Sequence, residues 1–176
     1  MIGYEKYTDQ EGWFRKQYQI RAFKEGEELD RLSILCPSNY FTEIENVGSK
    51  GIKGVQDVIR MYVPCEGGCG CTTGYSYVFW DGKQLVHAGD FLGTADADYS
   101  EDVSLIFPSE MQGHWLYLIK YTDSVDWEKA ENLPNEWNGS IPRIVKKEYF
   151  QFEDGALKPA PKETEVMYFG AEAYED

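Results

Sequence analysis

A mainly β fold, with antiparallel sheets built from successive hairpins, follows from three features of this 176-residue chain. Apolar residues recur at every second position through several short stretches, the period of a half-buried strand. Those stretches are rich in β-branched and aromatic side chains, which suit a pleated surface, and aromatics make up 15% of the chain, enough volume to fill a core. Between them stand turn formers, above all the pairs Asp81-Gly82 and Asp154-Gly155, which tolerate the positive φ of a tight hairpin. The length suits one domain. Residues 1–158 are expected to form a single β-rich domain, a sandwich or a rolled sheet, and residues 159–176 an acidic C-terminal tail.

Tyr18, Ile20 and Ala22 alternate with Gln17, Gln19 and Arg21, which predicts a strand. Lys24-Glu25-Gly26-Glu27 turns it back into Glu28–Leu35, and Pro37 ends the hairpin. Asn39–Val47 carries no clear pattern. Gly48, Gly51 and Gly54 make 48–54 a flexible connection. Val55–Val63 and Tyr75–Trp80 are expected to pair across a Gly- and Cys-rich loop, and a two-residue turn at Asp81-Gly82 folds Lys83–Phe91 back onto the second. Val103–Phe107 and His114–Tyr121 are two further strands. One short helix is predicted over 125–132, capped by Asp123 or Ser124, with Asp126 and Glu128 near the positive end of its dipole and Pro134 as its stop. Glu148–Phe152 and Ala156–Lys158 form a hairpin about Asp154-Gly155. The tail, with Pro159 and Pro161 at its start, is expected to be mobile unless Met167-Tyr168-Phe169 docks on the body.

Asp57–Pro64 and Asp102–Pro108 begin alike, 45 residues apart, and each is followed by an aromatic strand, Tyr75–Trp80 and Trp115–Tyr121. In this respect residues 48–121 resemble the degenerate FG-GAP or VCBS-type repeats of β-propellers. The resemblance implies two blade-like units of short antiparallel strands. Two blades leave a ring open, since about four are needed to remove the exposed edges. The chain also departs from the pattern: the connection 48–54 has no acid where the family's loop alternates Asp and Gly. A sandwich or rolled sheet containing the two units is therefore favoured over a propeller.

Thirty-one acidic residues against 17 basic leave a formal charge of −14. Such a surface repels phosphate backbones and anionic headgroups, which disfavours nucleic acid and membrane as partners and favours a basic protein. No stretch is apolar for the length of a membrane span, and residues 1–5 lack a signal-peptide pattern. The expected location is cytoplasmic if Met1 is the native start, and periplasmic or secreted if a leader has been removed.

Three clusters carry candidate chemistry. Cys36, Cys65, Cys69 and Cys71 are even in number; in an oxidising compartment they form one or two disulfides, with three connectivities open, and a bond from Cys36 to a loop cysteine would staple the first hairpin to the second. Zinc is the less favoured use of these thiols, because the spacing differs from a C-x-x-C knuckle. Asp96, Asp98 and Asp102 alternate in an acidic loop and are candidate calcium ligands, although the loop lacks the central Gly and distal Glu of an EF-hand. Trp127, Trp137 and Glu101 are candidate interface residues. His87 and His114 stand in no ligand spacing and are read as structural. No nucleophile elbow, phosphate loop or dinucleotide fingerprint is present, so no cofactor is implied. The first expectation is a non-catalytic acidic binding or inhibitor protein, such as a bacterial immunity-type factor against a basic partner. The alternatives are an extracellular β module that binds glycan or calcium, and a hydrolase with paired carboxylates whose positions the sequence does not reveal.

Overall fold

The computed structural model describes residues 2–8, 16–37, 41–65, 70–95, 100–111, 116–125 and 142–170. They form two antiparallel sheets, and the mainly β expectation holds. Strands β1 (Ile2–Thr8), β2 (Lys16–Lys24) and β3 (Glu27–Leu35) make a three-stranded sheet in chain order. The second sheet runs as an open meander through β4 (Ile44–Asn46), β5 (Asp57–Val63), β6 (Cys71–Trp80), β7 (Leu85–Ala95), β8 (Ser100–Ile106), β9 (Leu118–Val125), β10 (Arg143–Glu153) and β11 (Ala156–Pro159). A last strand, β12 (Glu165–Phe169), pairs with the first half of β10, while β11 pairs with the second half.

The hairpins are local products of alternation and turn chemistry. Tyr18, Ile20 and Ala22 are buried on one face of β2, and Glu25 and Gly26, at φ 53° and 90°, close the turn into β3. The Asp154-Gly155 corner is the expected two-residue turn: Glu153 faces Ala156, and both central residues have positive φ. The Asp81-Gly82 corner differs. Trp80 faces Leu85, so the loop spans four residues, 81–84. Its shape comes from Asp81 Oδ1, which accepts the backbone N–H groups of Lys83 and Gln84 at 2.8 Å each.

Two apolar clusters lie on opposite faces of β5 and β6. On one side Ile59, Met61, Val63, Val78 and Trp80 meet Tyr18, Ile20, Ala22 and Ile34 of the small sheet. Tyr18 anchors this layer: its ring lies 4.8 Å from that of Phe41, and its hydroxyl accepts the Phe41 N–H. On the other side Val58, Tyr77 and Phe79 meet Leu105, Phe107 and Leu118, with Phe150 and Phe152 of β10 packed against them. The long sheet therefore bends back over its own first half. A bulge between Tyr77 and Val78 in the β6–β7 pairing makes this workable. One extra residue on β7 reverses which face the following side chains take. Leu85 thus faces the first cluster, and Phe91 faces the second.

Several expectations change. The helix was placed from Val125, which instead ends β9; residues 126–132 lie outside the described residues. The connection 48–54 contributes to the core, with Ile52 buried and Ser109 N–H bonded to Lys50 O. Strand β12 lies within 159–176 and is joined to the body through β10. The two similar segments, 57–64 and 102–108, begin the strand pairs β5–β6 and β8–β9 of one continuous sheet, with β7 between them.

Candidate functional site

A groove of about 490 Å³ opens where both Asp-Gly corners meet. Ile52-Lys53-Gly54, Asp81 and Lys83, Leu116-Tyr117 and the run Gln151–Gly155 line it. The corners are in contact: a Cβ at Gly155, whose φ is 71°, would overlap the Gln84 side-chain amide. Backbone conformation favours glycine there, whereas the Gln84 amide is the end of an exposed side chain that can swing aside. The floor is apolar and fixed from below. Phe152 stands edge-on to Phe79 at 5.7 Å, and Ile52 is 6% exposed. The wall is not covered, because Leu116 is 74% exposed.

The rim carries both signs of charge. Asp154 bonds Lys158 at 2.6 Å, and Glu153 and Asp81 stand beside it in the lining. Lys53 and Lys83 make no ion pair with any described residue. Most other described cations are matched: Lys50 pairs with Glu110, Arg60 with Glu45, Arg143 with Asp123, and Lys120 and Lys146 with Glu148. Beyond the 81–84 loop a second cleft, about 340 Å³, is lined by Lys24, Leu29, Gln56 and Asp57. Leu29 is the extra residue of a bulge in the β2–β3 pairing and is 47% exposed.

A Ser–His–Asp cluster sits elsewhere, at the β6–β7 bulge. His87 Nε2 lies 3.1 Å from Ser76 Oγ and 3.1 Å from Asp90 Oδ1. One nitrogen thus serves both partners, whereas a relay needs the acid on the other ring nitrogen. Ser76 is also fully buried. The cluster binds strands together and exposes no nucleophile. Burial opposes ionisation of Asp90, but hydrogen bonds from His87 and Ser76 outweigh it and hold the carboxyl below the usual aspartate range.

Of the cysteines, Cys65 and Cys71 form a disulfide that closes the β5–β6 connection, with a Cα–Cα separation of 5.4 Å. Cys36 is buried in the core between the two sheets, so the staple from Cys36 to the loop is replaced by a bond within the loop. Cys69 lies outside the described residues. The bridged pair has no thiolate to offer zinc. Asp96 and Asp98 also lie outside the described residues; Asp102 is exposed on β8, opposite Asp123, which Arg143 holds at 3.0 Å. No group of three potential metal ligands converges among the described residues. Glu101 faces Thr94 of β7 and Ser124 of β9, at the narrow β7–β8 junction. Trp127, Trp137 and His114 are outside the described residues. Sequence reasoning missed the groove, and its signal was the pair of Asp-Gly corners, read only as turns. Comparison with protein-family models, with curated proteins and with solved structures finds no match for the chain.

Proposed function

We propose that this chain is a non-catalytic binding protein that recognises a basic protein partner, in the manner of an immunity-type inhibitor. The observation that carries this reading is the charge excess of −14 together with carboxylates displayed on the surface. Glu25, Glu27, Glu43, Asp102 and Glu163 are exposed and make no ion pair with a described residue. Uncompensated surface charge of one sign steers an oppositely charged protein and accelerates its docking. Exposed Leu29 on β3, close to Glu25 and Glu27, offers the apolar contact that pure electrostatics lacks. The Cys65–Cys71 bridge supports an oxidising compartment as the place of action.

The test is affinity capture at low and at moderate salt, followed by the double charge reversal Glu25→Lys with Glu27→Lys. A stoichiometric basic partner is expected, weakened at least tenfold by the reversal and by salt. Absence of any stoichiometric partner at both salt levels overturns the reading, and so does a partner that is indifferent to the reversal.

A further inference from the structure

We propose that the groove between the two Asp-Gly corners binds a neutral saccharide of one or two rings. This site is separate from the acidic surface just described and does not depend on it. In a chain carrying 31 acids and 17 bases, the groove is a place where charge is locally balanced: Lys158, outside the lining, pairs with Asp154, which leaves Lys53 and Lys83 against Asp81 and Glu153. An anionic ligand would meet Asp81 and Glu153, and a cationic one Lys53 and Lys83. A neutral ligand bearing groups that both donate and accept hydrogen bonds satisfies the two kinds together.

Sugar hydroxyls are such groups. Lys53 Nζ, Lys83 Nζ and the Gln151 amide supply donors, and the Glu153 carboxylate and the second oxygen of Asp81 supply acceptors. A pyranose also has an apolar C–H face. Tyr117, Phe152 and the 74%-exposed Leu116 give that face an apolar surface to lie on. Lys53 and Lys83, which make no ion pair among the described residues, are ready to donate with no such bond to break first. Four separate chain segments build the walls, and the Phe79–Phe152 contact holds one of them in place. The volume, about 490 Å³, falls in the range of small-molecule sites.

The experiment is a backbone-amide NMR titration of the whole chain with glucose, galactose, mannose, N-acetylglucosamine and their common disaccharides. Saturable shifts are expected for at least one sugar, confined to 52–54, 81–84, 116–117 and 151–155, with a Kd on the order of 1 mM or tighter. Lys83→Ala and Glu153→Gln change exposed rim groups only; each is expected to weaken binding several-fold and leave the unfolding temperature in place. Glucuronate and glucosamine, the charged analogues, are expected to bind more weakly than glucose. No saturable shift with any sugar, or shifts that map elsewhere, overturns the site. Charged analogues that bind as well as glucose overturn the neutral-ligand assignment. The charge reversal at Glu25 and Glu27 leaves sugar binding unchanged, so failure here and failure of the basic-partner reading remain distinguishable.

Discussion

The first and second halves of the long sheet are made of similar residues and behave differently. In β5 and β6 both faces are covered: Val58 and Ile59 are adjacent and both buried, and the last five residues of β6, from Ser76 to Trp80, are all buried. In β9 adjacent burial is confined to Leu118 and Ile119 at its start, and in β10 only Val145 and Tyr149 are buried. Lys120, Lys146 and Glu148 form an ion network on the other face. Burial works against ionisation of Glu148, yet hydrogen bonds from both lysines hold it below the usual glutamate range. Val166 and Phe169 of β12, at the edge of this half, remain about half exposed. Sandwiching between two layers, rather than strand composition, concentrates stability in β5 and β6.

The largest effect that tests this contrast is Phe79→Ala. It empties the centre of the second cluster, and a loss of about 3–5 kcal/mol is expected in chemical denaturation. Val166→Ala on the outer edge is the matched control, with a change within about 0.5 kcal/mol. Equal losses at the two positions would refute the unequal distribution of stability.

A smaller effect concerns the connection that enters β6. The Cys65–Cys71 bridge closes a short loop, and replacing both cysteines by serine is expected to cost about 2 kcal/mol by the chain-entropy argument. Reductant is expected to lower the midpoint of the natural chain and to leave that of the double variant unmoved. A natural chain indifferent to reductant would mean that this hairpin is held entirely by its packing.

The smallest expected effect is pH-dependent and lies at the bulge that sets the two faces of β7. Asp90 has a folded pKa below its ordinary value of about 3.9. Its stabilisation is therefore complete above the unfolded value and is lost as pH falls through the lower folded one. The stability difference between the natural chain and Asp90→Asn is expected to shrink progressively as pH falls below about 5. A difference that shrinks only above pH 5 would assign the effect to another group.

Where structure depends on neighbours in sequence, it was legible. The β2–β3, β5–β6 and β10–β11 hairpins follow from alternation and from turns at Glu25-Gly26 and Asp154-Gly155. The 81–84 loop was legible as a corner but not in its length, because a side-chain oxygen organises it rather than positive φ at both central residues. Strands β1, β4 and β12 escaped notice. Their short runs have no strong alternation, and each is defined by the partner it pairs with. The groove was least legible of all, since residues 52–54, 81–83, 116–117 and 151–155 are far apart along the chain.

Sequence by itself determined that this chain forms sheet, where its principal hairpins turn, and that its exterior is strongly negative, because backbone preference, side-chain period and net charge are properties of short segments or of simple counts. Tertiary structure alone decided which faces are buried twice, that Cys65 bonds Cys71, and that both Asp-Gly corners border one charge-balanced groove. Those outcomes depend on how a continuous sheet bends over itself, and that bend is set by packing between segments that no local pattern connects.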